Sequence, residues 1–180
     1  MIEIDRPAAA EAGNDALVVE LTDLVNRAYD VAEGGLWKEG VARTTRSETA
    51  ETIAREEVLI AREAGRIVGA VRTRFLGGSV GWFGALAVDE RDAGRGIGGM
   101  LVAAAERYAS EAGASSMQLE LLVPATEHPH TEMLARWYTR LGYWRTGLCD
   151  LAEVDPAAVP LLRQPCNVAI MQKDLANALG

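Results

Sequence analysis

The feature that most restricts how this chain can fold is the stretch LAVDERDAGRGIGGML, residues 86–101. Gly94, Gly96, Gly98 and Gly99 fall within six consecutive positions, between an apolar run and a helical pattern. Inside a helix each glycine costs about 1 kcal/mol relative to alanine. A chain that accepts this at a helix start gains backbone freedom there. The start of a helix leaves N–H groups unpaired and carries the positive end of the helix dipole. Glycines let an anion approach such a backbone closely. The stretch therefore points to a phosphate-bearing ligand, against the plainer reading of a tight strand-to-helix turn, and Arg95 places a cation among the glycines.

The flanking patterns give the order of elements. MIEI alternates as a first strand. Asn14 or Asp15 is placed to cap a helix whose apolar positions are Leu17, Val18, Leu21, Leu24, Val25 and Ala28. EGGLWKEG interrupts it, and a second helix is expected from Ser47 to about Glu56. EVLIARE, IVGAVRTRFL and VGWFGALAVD read as three strands joined by the turns AGR and GGS, a meander of antiparallel hairpins. After the glycines, Ile97, Met100, Leu101, Ala104, Ala105 and Tyr108 form a helical stripe that Gly113 ends. SMQLELLV is a further strand. Met133, Leu134, Trp137, Tyr138 and Leu141 mark another helix, stopped by Gly142, and YWRTGLCDL and CNVAIMQKDL close the chain as strands. No linker divides the chain, so residues 1–180 are expected to form one domain.

Composition excludes several classes. The formal net charge of -8 disfavours nucleic acid as a partner. Cys149 and Cys166 make no disulfide framework. No signal peptide and no long apolar run is visible, so no membrane association and a cytoplasmic location are expected. His128 and His130, the two histidines of the chain, are too few for a histidine-rich metal site, and no metal is expected. Among phosphate ligands, a Walker A loop is ruled out because Lys followed by Ser or Thr is missing. Gly94, Gly96 and Gly99 satisfy G-x-G-x-x-G, with Glu120 downstream. That fingerprint, however, belongs at the start of a repeated βαβ series, and antiparallel strands precede it here. A NAD- or FAD-binding enzyme is therefore a remote alternative.

Two motifs in order resemble those of the GNAT superfamily of N-acetyltransferases. DAGRGIGG is similar to its acyl-CoA loop, Q/R-x-x-G-x-G/A, although Ala93 stands where Arg or Gln is usual. Arg91 and Arg95 lie nearby, out of register. ARWYTRLGYWRTG is similar to its later helix and following strand, with Tyr138 four residues before Gly142, although Thr131 stands where an Asn is frequent. The resemblance implies an α/β fold with a mixed, mostly antiparallel central sheet flanked by helices on both faces. It implies acetyl-CoA as acyl donor, transferring acetyl directly to a primary amine in a ternary complex, with a small-molecule acceptor favoured. A non-catalytic acyl-CoA-binding or sensing domain is the alternative. It further implies that the fourth and fifth strands splay apart after the glycine loop. The pantetheine arm would then pair with Leu86, Ala87 and Val88, and the pyrophosphate would lie on Gly94, Arg95, Gly96, Ile97, Gly98 and Gly99. Tyr138 would serve the departing thiolate.

The remaining roles are open. Glu120 alternates with Gln118 and Leu122 on the fifth strand and is a candidate base. His128 and His130 flank a proline in a loop beside the site, as candidate acceptor or proton-carrying groups. In the segment between the first two helices, which often walls the acceptor site in the family, Glu33, Trp37, Glu39 and Arg43 are candidates: Glu33 and Glu39 suit an amine, while Arg43 and Arg46 suit a carboxylate. A homodimer through CNVAIMQKDL as an edge strand is possible to draw from the pattern.

Overall fold

The computed structural model describes residues 1–175. Seven strands form a single sheet in the order β1-β2-β3-β4-β5-β7-β6. They are β1 (Ile2–Asp5), β2 (Val58–Glu63), β3 (Arg66–Gly77), β4 (Val80–Val88), β5 (Ser116–Pro124), β6 (Trp144–Asp150) and β7 (Cys166–Asp174). Every neighbouring pair is antiparallel except β4 with β5. The α-helices are α1 (Asp15–Ala32), α2 (Arg46–Ala54), α3 (Ile97–Glu111), α4 (Pro129–Arg140) and the single turn α5 (Leu151–Val154).

Alternation along the strands sends side chains into separate cores. Leu17, Leu21, Leu24 and Ile53 from α1 and α2 pack on Val58, Ile60, Ala70 and Ala87. On the other face Ile97, Leu101 and Ala105 of α3 pack with Leu59, Val68, Phe83, Met117 and Leu119. A smaller group joins Leu151, Ala158 and Leu162 to Cys166 and Val168. Helices thus flank both faces, as the sequence implied.

Asn14 caps α1, its side chain accepting from the Leu17 amide. The second helix starts at Arg46, one residue before the position expected. Thr45 is its cap, and Thr45 with Glu48 completes a reciprocal pair of cap bonds. It ends at Ala54, and Glu56 turns the chain at φ +54°. In α3, Met100 is left exposed, and Val102 and Ala109 are buried instead. β7 is not an edge. It lies between β5 and β6, with both sides paired, so it has no free edge to offer a second copy. β1 and β6 hold the sheet edges.

Candidate active site

β4 and β5 pair only where Val80, Gly81 and Trp82 meet Ser116, Met117 and Gln118. Beyond that the strands part. The opening therefore runs along the second half of β4 and begins before the glycine turn, not after it. A bulge accompanies it: β3 advances from Ala70 to Arg72 while β4 goes from Ala87 back to Gly84, one residue more, with Ala85 at φ +48°. The bulge reverses the alternation. Phe83 ahead of it and Leu86 and Val88 beyond it all face the α3 core, while Ala87 is buried against α1. Leu86 and Val88 line the resulting cleft of about 1050 Å³; the Ala87 side chain does not. The Asp89 amide donates to the Val68 carbonyl on β3. By alternation the Val88 amide faces the gap that β5 has left.

The glycine turn closes one end of the cleft. Gly96 is the residue before α3 and sits at φ +79°, as does Gly94, a conformation that favours glycine. The amides of Ile97, Gly98 and Gly99 precede the first helical bond, which Met100 makes to Gly96. A Cβ at Gly94, Gly96 or Gly99 would meet nothing within 4 Å, so the cradle stands open. Side-chain ion pairs beneath fix its shape. Buried Asp92 accepts from Arg66 at 2.6 Å and from Arg95, and Arg95 also pairs with Glu63 at 2.8 Å. Arg95 is thus drawn toward β2 and does not line the cleft, in contrast to its expected role on the pyrophosphate. Hydrogen bonding from Arg95 holds the Glu63 carboxyl below its ordinary value, and hydrogen bonding from Arg66, then from Arg95, does the same for Asp92. Ala93 does line the cleft, with only a methyl group.

Tyr138 projects from α4 and is 7% exposed. Its ring packs on Trp137, Phe83 and Tyr143, at centroid separations of 4.9, 5.9 and 6.1 Å. Tyr143 is in turn anchored to Glu106 at 2.7 Å, and Lys173 holds the same carboxylate at 2.8 Å. The Tyr138 hydroxyl has no partner among the described residues and opens on the cleft. Burial, and secondarily Tyr29, pushes its pKa above the ordinary 10.0, so it is a neutral phenol at any physiological pH.

The opposite end is walled by α1, α2, α5 and the segments between. Glu120 lines the cleft and makes no ion pair among the described residues. His128 does not line it. Its ring caps α4, with Nδ1 accepting from the Thr131 amide at 3.4 Å. Pro129 opens the helix, so His130 stands on the first turn of α4 rather than in a loop, and it lines the cleft. Burial, then His128, lowers the His130 pKa from 6.5, which leaves its imidazole neutral at pH 7. Glu33 and Trp37 both line the cleft and engage each other, Trp37 Nε1 donating to Glu33 at 2.5 Å. Glu39 faces only an adjoining recess of about 420 Å³, and Arg46 faces neither space.

Tyr29, Trp82 and Asp155 also line the cleft and were not picked out from the sequence. Tyr29 merges with the apolar stripe of α1, and Trp82 with the alternation of β4. The Trp82 indole N–H is buried without a partner among the described residues. Its ring lies over Gly84, where any Cβ would collide with it. Among the described residues no group of three or more His, Cys, Asp or Glu side chains is arranged to hold a metal ion, and no helix is long and apolar enough to cross a membrane.

A mixed sheet parted between two parallel strands, above a glycine turn at a helix start, defines the acyltransferase class that the two motifs resemble. A family model described as the acetyltransferase (GNAT) family matches residues 19–147. The chain belongs to that family. Solved structures share the fold. The aminoglycoside 6'-N-acetyltransferase complexed with coenzyme A is 18% identical, with 98% of this chain and 97% of that one covered at a TM-score of 0.70. The PaiA N-acetyltransferase of Thermoplasma acidophilum, in complex with coenzyme A, is 14% identical over 97% and 99% of the two chains, TM-score 0.70. The ribosomal-protein-S18-alanine N-acetyltransferase of Escherichia coli is 14% identical over 99% and 96%, TM-score 0.68. No curated protein matches the chain in sequence.

Proposed function

We propose that this chain, as a single domain, is an acetyl-CoA-dependent N-acetyltransferase that moves an acetyl group onto a primary amine of a small molecule by direct attack in a ternary complex. The observation that carries the reading is one continuous cleft. It runs from unpaired amides at the start of α3, along the free edge of β4, past the Tyr138 hydroxyl, to a wall holding Glu120 and His130. The open glycine cradle suits a pyrophosphate, and the vacated edge of β4 suits an extended amide-bearing arm. Bound there, acetyl-CoA would supply a thioester-activated acetyl group.

The chain's own residues meet the remaining demands. The Val88 amide, aimed into the gap, donates to the acetyl carbonyl oxygen. Glu120, or the neutral His130, takes the proton that the acceptor ammonium must lose before its nitrogen can attack. Tyr138 donates to the thiolate sulfur as the carbon–sulfur bond breaks. Arg95 stands outside this set, as a clamp on the loop.

The test is a thermal-shift titration with acetyl-CoA, CoA, NADH and FAD. Stabilisation by the two CoA compounds alone is expected. Stabilisation only by NADH or FAD would refute the reading. Stabilisation by acetyl-CoA without acetylation of any primary amine would favour an acyl-CoA-sensing domain instead.

A further inference from the structure

The acceptor end of the cleft carries charges of both signs, and they are not equivalent. Glu33 is engaged with Trp37, and the Asp155 carboxylate accepts from the Ala158 amide at 3.2 Å. Arg72 is tied to Glu57 at 2.6 Å. Arg43 lines both the cleft and the adjoining recess, and no carboxylate of the described residues lies within ion-pairing distance of it.

Arg43 is also held in place. Asn26 of α1 clamps its backbone, with Oδ1 accepting from the amides of Arg43 and Thr44 at 2.9 and 3.0 Å and Nδ2 donating to the Thr44 carbonyl at 3.0 Å. The guanidinium lies over two rings, 4.9 Å from the centroid of Tyr29 and 5.5 Å from that of Trp37. Trp37 is itself fixed by Glu33 and by a backbone bridge to Leu162. The Tyr29 hydroxyl also engages the guanidinium, and the N–H donors turned away from Tyr29 are left for a ligand. Such a cation, near the Glu33 and Asp155 carboxylates but in direct ion-pairing contact with none among the described residues, and set in a wall shared by two spaces, has the form of a receptor for a planar anion.

We propose that the acceptor is an amine that also carries a carboxylate, and that Arg43 holds the carboxylate at the junction of the cleft and the recess. The proposal rests on the acetyltransferase reading and narrows its substrate. One guanidinium matches one carboxylate in charge and in bidentate geometry. A phosphate dianion would bring a second negative charge close to Glu33 and Asp155. The acids of the cleft, Glu120 above all, suit the ammonium end of the same molecule. A diamine would have to set its second cation beside Arg43. Arg46, the other cation that the sequence offered for a carboxylate, faces away from both spaces.

The experiment compares initial rates for a panel of α-amino acids with those for the amines formed by their decarboxylation, at saturating acetyl-CoA. The wild-type chain is expected to favour the carboxylated member of at least one pair by tenfold or more in kcat/KM. Arg43→Gln should abolish that preference by lowering the carboxylated member alone, and Arg43→Lys should restore part of it. The dissociation constant for acetyl-CoA and the melting temperature report whether each variant is intact. Equal or better rates with the decarboxylated amines or with diamines, or a preference that survives Arg43→Gln, would overturn the proposal. So would acetyl-CoA binding with no carboxylated amine acetylated. Failure to bind acetyl-CoA at all would instead count against the acetyltransferase reading itself.

Discussion

Replacing Tyr138 with Phe removes one oxygen and leaves the ring. Burial keeps the phenol pKa above 10.0 in the folded chain. An alkyl thiol has a pKa of about 8.5. Full proton transfer from this phenol to a departing thiolate is therefore uphill, and the hydroxyl contributes chiefly as a hydrogen-bond donor to a charged sulfur. A hydrogen bond to a charged group contributes about 1.5–3 kcal/mol. At 1.36 kcal/mol per decade, kcat should fall about 10- to 150-fold, below the largest factors seen in general acid catalysis. Stability should change little, by less than about 0.5 kcal/mol, because the hydroxyl has no partner among the described residues and the contacts with Phe83, Trp137 and Tyr143 are made by the ring. The assay is release of free CoA thiol under saturating substrates, with thermal denaturation of both chains beside it. A kcat within threefold of wild type would refute the donor role. A melting temperature several degrees lower would show that the hydroxyl is structural. The same raised pKa predicts that no alkaline limb of the wild-type profile near pH 10 belongs to Tyr138.

The other perturbations separate the two ends of the cleft. The carboxyls of Glu63 and Asp92 are held below their ordinary values of 4.5 and 3.8, so their pairing contributes stability that is present above about pH 4.5 and lost as pH falls through the lowered values. Arg95→Ala should flatten that acid dependence in equilibrium unfolding between about pH 5 and 3, and an unchanged slope would show the clamp to be idle. Gly84→Ala should push the Trp82 indole out of its place over the strand. It should raise the KM for the amine by more than it changes the affinity for acetyl-CoA, and equal effects on both would mean that Trp82 does not shape the acceptor end.

What could be read from the sequence was local. Four glycines before a helical stripe, Gly113 and Gly142 after two others, and the meander of hairpins all depend on residues close in the chain. What could not be read depends on partners far apart. The place of β7 inside the sheet comes from pairing with β5 and β6 together, and alternation within CNVAIMQKDL is the same for an inner strand as for an edge. The direction of Arg95 is set by Glu63, 32 residues earlier, and by Asp92. The β4 bulge adds one residue to an otherwise regular alternation, so sequence reading alone would set Phe83 and Ala87 on one face, whereas the structure puts them on opposite faces. His128 looked like a loop histidine because helix caps are usually Ser, Thr, Asp or Asn, and its role as the cap of α4 emerges only with the helix in place.

These misplacements share a consequence for the site. With Ala93 where a basic residue is usual and Arg95 turned away, the glycine-turn end of the cleft offers an anion backbone amides rather than side-chain cations. In a chain of net charge -8 that arrangement needs the acids of the loop kept out of the way. Asp92 lines the cleft, but its two carboxylate oxygens are occupied by Arg66 and Arg95. The clamp therefore does two things at once. It cancels a negative charge that would otherwise face a phosphate bound in the cradle, where repulsion in a partly dry site is strong. It also pins the turn that aims the amides of Ile97, Gly98 and Gly99. On the proposed reading, the two arginines favour an anion by neutralising its competitor, while the amides of the glycine turn would make the contact.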